Sequence, residues 1–368
     1  MRVDSHTIHE PPMDLLEFTG QLTCSSDEAF QHIYKSFIAY GYTPMLTERD
    51  GKEIVVAKQG IVAPTKSDVR INAILLIATI ASTVLAGVLL YADTSALGRQ
   101  VLGRVDDPIQ GLLVILRTPA LWVIGVPYAL TLLTILGVHE MGHYVMARRH
   151  KADVTLPYFI PMPLGLGTMG ALIRLKSPIK NRKQLFDIGV AGPLAGLAVA
   201  IPLLIIGLSM SPVAHVGRAV AGSQEGNSIL YALLKFVTKG QWLPSGRYDV
   251  ALNAIAFPAW FGLIVTMINL LPIGQLDGGH VIFSMFGRLQ WKIAMAVEVI
   301  LLLLGTYLAF TTGQILNVWL LWAVLVQIFG LRHPPPLDDL TPLDRKRKII
   351  GWATIVIFFL IFTPLPFS

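Results

Sequence analysis

Residues 132–149 read LLTILGVHEMGHYVMARR, and the reading of this stretch decides the fold. The run carries no charge until His139, Glu140 and His143, and it closes on Arg148 and Arg149. As an α-helix it projects His139 and His143, four residues apart, from one face, where two imidazoles can hold a single ion. Upstream the apolar text extends back to residue 119, which is long enough to cross a bilayer. Ionisable side chains inside such a span are costly, and a functional site is their default explanation. A packed polar cluster near the basic helix end is the plainer one.

Composition agrees with a membrane setting. Of 368 residues, 54% are hydrophobic and 14% charged, with a mean hydropathy of +0.62, more apolar surface than one soluble core hides. The net charge of +6 does not imply a nucleic-acid partner, because the basic residues fall in short clusters between apolar runs. Cys24 is the single cysteine, so a transition metal here must use His and carboxylate ligands. The first 30 residues hold several carboxylates and no apolar core, which argues against a cleaved secretory signal.

Working outward, INAILLIATIASTVLAGVLLYA, residues 71–92, has no charged side chain. Further apolar runs cover about 119–147, 185–209, 249–271, 292–311, 316–331 and 349–366, the runs at 292–311 and 316–331 being short enough to pair as one hairpin. RRHK at 148–151, KNRK at 180–183, Arg288 with Lys292, and DRKRK at 344–348 all fall on one side of the membrane if the N-terminus is cytoplasmic. Residues 1–65 read as a small soluble βαββ domain: a strand at GQLTC, a helix capped by Ser25 or Ser26, and a hairpin turning at Asp50-Gly51. HPPPLDDLTP, residues 333–342, reads as a stiff linker. The expected fold is thus an all-α polytopic membrane protein of about six to seven transmembrane helices with a short membrane-associated strand and loop segment, plus the N-terminal α+β domain. Its parts are 1–65, a core over 71–331, and a linker with a C-terminal apolar span over 332–368.

The strand and loop segment is PYFIPMPLGLGTMGALIRL, residues 157–175. Irregular backbone at membrane depth is tolerated only against protein or a water-filled cavity, so the segment is expected to line the site. Gly165 and Gly167 could let extended chain approach a substrate strand, or they are plain turn glycines.

Glu140 beside two imidazoles suits hydrolysis: a carboxylate can take the proton of a metal-activated water and deliver it to a leaving amine. A catalytic zinc site needs a third protein ligand, and the candidates are Glu225, Glu298, Asp277 and His280. Asp277 stands out in NLLPIGQLDGGH, residues 269–280, where Pro272, Gly274, Gly278 and Gly279 break an apolar run and can turn a carboxylate into a cavity. Glu298 is the second choice, or a polar contact between helices. His280 shares a face with Asp277 only if the helix continues through the two glycines, leaving it a ligand, a partner of one, or a backbone-bonded histidine.

HEMGH at 139–143 followed by NLLPIGQLDGGH resembles the site-2 protease family over roughly residues 119–290, and GVAGPLAG at 189–196 is similar to that family's glycine-proline motif. The resemblance implies an intramembrane zinc metalloprotease with one Zn2+ per chain, held by His139, His143 and Asp277, with Glu140 as general base. It further implies that Asn269, in the family's NxxPxxxLDG pattern, contacts substrate or polarises the reacting carbonyl; by its chemistry alone Asn269 could as well bond a freed backbone group. Unlike some relatives the chain shows no PDZ insertion. Expected partners are single-span membrane-protein substrates and the lipid bilayer, in a prokaryotic inner membrane or else a plastid one. A divalent-metal transporter and a catalytically inactive membrane adaptor are the competing functions. The transporter lacks a second ligand set in an inverted repeat, and the adaptor has no use for Glu140.

Overall fold

The computed structural model describes residues 1–9, 15–61, 67–103, 105, 107–163, 165–215, 225–313 and 317–367. Four antiparallel strands, β1 (Arg2–His9), β2 (Leu15–Gln21), β3 (Tyr42–Arg49) and β4 (Lys52–Gln59), form a sheet in the order β1-β2-β4-β3, with α1 (Ser26–Ala39) packed on it. Asp50 and Gly51 take φ of 54° and 75°, which lets Arg49 pair with Lys52 across the two-residue turn expected from Asp-Gly. The sheet has one strand more than the βαββ reading: β1 is an exposed edge, its RVDSHTIH text lacking the apolar alternation that marks a half-buried strand. The boundary placed at residue 65 lies outside the described residues.

The rest is mostly helical: α2 (Val69–Tyr91), α3 (Ala96–Leu102), α4 (Pro108–Arg117), α5 (Pro119–Arg149), α6 (Arg182–Met210), α7 (Ile229–Lys239), α8 (Ala256–Asn269), α9 (Asp277–Phe286), α10 (Gln290–Thr312), α11 (Val318–Phe329) and α12 (Arg345–Ile361). Two small antiparallel pairs interrupt them, the hairpin of β5 (Tyr158–Pro161) with β6 (Thr168–Leu172), and β7 (Val213–His215) with β8 (Tyr248–Val250) across α7. Among the described residues four helical stretches are long and apolar enough to cross a membrane: Val69–Thr94, Pro119–Arg149, Arg182–Met210 and Asp277–Thr312. The other apolar runs form shorter helices. The run expected over 249–271 yields only the 14 residues of α8, because residues 249–255 begin in β8 and turn at Asn253, whose side chain accepts from the Ile255 and Ala256 N–H groups, and the chain leaves helix again at Leu270 to resume at Asp277. The 12-residue α11 is bounded by an Asn317 cap and Gly330, and folds back on α10 as a hairpin.

Packing centres on α5 and α6, which lie against each other, with α2 on the outer side of α5 and α8 and α9 on α6. The β5–β6 hairpin rests on α2 and α5, and polar side chains of those apolar helices serve the carbonyls of its connections. Asn72 donates to the carbonyls of Leu156 and Pro157 at 2.9 and 3.0 Å, Ser82 to Gly167 at 2.6 Å, and Tyr128 to Leu166 at 3.0 Å. Backbone away from water must find such partners.

The basic clusters meet at one end of the bundle, beside the N-terminal sheet. Lys183 pairs with Asp27 at 3.0 Å, Arg182 with Asp339 at 2.9 Å, and Asp187 with both His150 and Arg347, at 2.8 and 2.6 Å. Residues 333–342 are no free linker there. Leu337 and Asp338 donate backbone hydrogen bonds to Ile179 and Lys180, while Leu46 of β3 and Asp339 close the other edge. The Leu337 side chain fills the core of the N-terminal sheet with Phe30, Leu46 and Val55. The segment is therefore a strap joining the sheet to the start of α6.

Candidate metal centre

One turn of α5 brings His139 and His143 together, their Nε2 atoms 3.1 Å apart. Asp277, the first residue of α9, reaches both: its Oδ2 lies 3.3 Å from His139 and its Oδ1 3.3 Å from His143. These three side chains form the one group of potential metal ligands found among the described residues, all ligand atoms lying within 4.8 Å of one another. His143 Nδ1 lies 2.7 Å from the Ile188 carbonyl, which can only accept, so Nδ1 carries the proton and Nε2 presents a lone pair. A lone pair from imidazole and a carboxylate converging in a buried site repel unless a cation sits between them. Two nitrogens and a carboxylate suit zinc.

The break before α9 aims Asp277. Gly274 takes a φ of 50°, and Gly278 and Gly279 pass so close to the Leu270 and Gly274 carbonyls that a Cβ would lie 2.0 and 2.3 Å from them. Gln290, which the sequence reading passed over, holds the break: its amide donates to Pro272 and Leu331, and its oxygen accepts from the His333 backbone. A glutamine at the foot of an apolar run was the available signal. The two glycines lie inside α9 rather than ending a helix, so His280 sits one turn beyond Asp277. Its Nδ1 meets His333 Nε2 of the strap at 2.6 Å, and it stands outside the ligand group. Burial and the nearby His280 push the His333 imidazole down to about 3, so it is neutral.

The other candidates are placed as follows. Glu140 is buried beside the two histidines and lines a cavity of about 630 Å3 together with them and Asp277. Asn269 lines it too, its Nδ2 3.5 Å from His139 Nε2. Glu298 accepts from Gln327 at 3.0 Å on α10, and Glu225 from Tyr231 at 3.1 Å; neither joins the ligand group. Gly165 and Gly167 form the β5–β6 turn with φ of 69° and 84°, and Gly167 lies against Ser82 and Thr83 of α2 rather than in the cavity. Residues 171–175 form one wall instead, and Pro334–Leu337 of the strap another.

The helix α6 makes room for the ligands. A Cβ on Gly192 would lie 2.0 Å from His143 Nε2, and one on Gly189 2.6 Å from the His280 Cβ. Gly192→Ala is therefore expected to weaken metal binding at least about tenfold, the scale on which loss of ligand-orienting contacts acts. A competition titration against a chelating dye reads this, with circular dichroism as the folding control; unchanged affinity would mean that His143 moves aside at little cost.

The chain has relatives among known proteins. The profile of peptidase family M50 matches residues 127–311, which contain both ligand-bearing segments. "Probable zinc metalloprotease EGY2, chloroplastic" of Arabidopsis thaliana is 32% identical over 246 residues, 66% of this chain and 42% of that protein. Its namesake in Oryza sativa subsp. japonica is 33% identical over 247 residues, 66% of this chain and 43% of that one. "Probable zinc metalloprotease EGY1, chloroplastic" of Arabidopsis thaliana is 31% identical over 242 residues, 63% of this chain and 42% of that protein. The chain thus spans about two fifths of the length of these relatives. No solved structure matches.

Proposed function

Because the chain belongs to peptidase family M50, the site-2 protease family, we propose that it is a membrane-embedded zinc metalloprotease that hydrolyses peptide bonds within or beside the membrane-spanning helices of other proteins. The observation that carries this reading is the convergence of His139, His143 and Asp277 beside Glu140, on helices long and apolar enough to lie in a bilayer. The three would hold one zinc ion per chain, which when bound supplies a Lewis acid that brings the pKa of a water to about 7. Glu140 takes the proton of the attacking water and returns it to the leaving amine nitrogen. Asn269 donates its amide to the scissile carbonyl oxygen, favouring the charge that develops there.

A helical substrate arrives with its amides mutually bonded, so hydrolysis requires local unwinding and access of water. The cavity of about 630 Å3 gives room for both, and the extended wall at 171–175 offers backbone partners to an unwound segment. Single-span membrane proteins are the proposed substrates. The four long helices, with α8 and its break, α11 and α12, make up six or seven crossings, the clustered basic residues facing the cytoplasm or its plastid equivalent. The relatives' descriptions as chloroplastic favour a plastid membrane, and a prokaryotic inner membrane is the other setting.

The test is reconstitution of the full chain in vesicles with a peptide containing one transmembrane helix. Cleavage in or next to that helix is expected to stop when a zinc chelator is added and to return with zinc. Cleavage that survives chelation sinks the proposal.

A further inference from the structure

On the far side of the segment that aims Asp277 lies a second cavity, of about 330 Å3, between α9, α10 and α12. Pro272 and Gly278 are at its inner wall, Ile293 and Val297 on α10, and Ile355 and Phe359 on α12. Its lining is almost wholly carbon; the Thr354 hydroxyl is already spent on the Ile350 carbonyl at 2.9 Å. Helix α12 packs on α6, α7, α8 and α9 rather than along α10, and Ile300 and Phe359 at the cavity rim are exposed. The gap between α10 and α12 thus opens sideways, toward the region that lipid would fill.

The charges at one end of this gap identify its occupant. Lys292 in the first turn of α10, and Arg345, Lys346 and Lys348 in the first turn of α12, are all exposed and form no ion pair among the described residues. Their neighbour Arg347, by contrast, is held by Asp187 and Asp344. Helix N-termini favour anions, yet here unpaired cations gather at two of them. Lys348 stands two turns above Ile355, roughly 10 Å along the helix, and Lys292 adjoins Ile293 in the cavity lining. The size argues in the same direction. A helix about 10 Å across would fill 330 Å3 with less than one turn, whereas about ten methylenes fit, taking roughly the volume of one liquid water for each.

We propose that this gap is a binding site for an anionic glycerophospholipid, with one acyl chain in the cavity and the phosphate against Lys292, Arg345 and Lys348, the two basic residues of α12 three apart on the face that Ile355 continues. An acyl chain seated there lies against the backbone that carries Asp277, and its retention requires neither zinc nor Glu140.

Native mass spectrometry of the full chain released from detergent, offered phosphatidylglycerol or phosphatidylcholine in equal amounts, tests the proposal. Phosphatidylglycerol is expected to be retained at least about tenfold better, each basic side chain near an anionic headgroup contributing roughly a fivefold factor. The combined Lys292→Ala, Arg345→Ala and Lys348→Ala variant should lose that preference. Val297→Phe, and independently Ile355→Phe, should lose retention of both lipids by filling the cavity. Glu140→Gln should bind lipid as the unaltered protein does, so failure of the protease reading would leave this result standing. Equal retention of the two lipids would overturn the proposal. So would phosphatidylglycerol binding that persists in both filled variants, which would place the lipid on the surface charges alone, and so would displacement of lipid by a transmembrane peptide at equal concentration, which would make the gap a helix-docking site.

Discussion

Glu140→Gln is expected to lower the rate of peptide cleavage by about 10²- to 10⁴-fold, the contribution of a positioned general acid–base group, while leaving the bound zinc in place. The carboxylate is buried one residue from His139 and faces the same cavity, but it is not among the converging atoms that could hold a metal. Gln keeps its shape and cannot accept a proton. The loss should therefore appear in the rate and not in the metal content, and both are to be measured on the same preparation. A fall in zinc parallel to the fall in rate would make Glu140 a ligand, and an unchanged rate would move the base elsewhere.

Asp277→Ala should reduce bound zinc well below one per chain and abolish cleavage. Asp277 is the only negative charge in the ligand group and touches both histidines at 3.3 Å. Without it, two neutral imidazoles must hold a dication in a buried site, which a catalytic zinc centre with three protein ligands avoids. Since loss of a ligand's supporting contact alone weakens metal affinity by about 10- to 100-fold, loss of the ligand should exceed that. Glu298→Ala serves as the control, because Glu298 bonds Gln327 and stands outside the group. Zinc retained by Asp277→Ala and lost by Glu298→Ala would reassign the third position.

The ligand group was legible because its geometry is local. Four residues of spacing place His139 and His143 on one helix face whatever the tertiary fold, and proline with glycine around residue 274 announces a break that can turn Asp277 inward. What remained hidden depends on contacts distant in sequence. Nothing in HPPPLDDLTP says that Leu337 enters a core built from residues 30, 46 and 55, and prolines with aspartates read as solvent-exposed chain. The first strand was hidden for another reason, since an edge exposed on both faces carries no periodic signal. The glycines of GVAGPLAG could be matched as a pattern, but only the packing shows why Gly192 is there: the imidazole of His143 occupies the space of its side chain. Gly165 and Gly167 were the reverse case, turn-forming residues whose position near the site in sequence did not place them at its wall.

The strap has a consequence in time. The N-terminal sheet closes its core with Leu337, about 280 residues after its last strand. At a synthesis rate of roughly 5–20 residues per second, the sheet, once made, waits about 15 to 55 seconds for the side chain that completes it. Through that interval all four long apolar helices are made and can enter the bilayer. Completion of the sheet then becomes a late event, and the strap that completes it, whose residues Pro334 to Leu337 also wall the cavity beside Asp277, is made only after those helices.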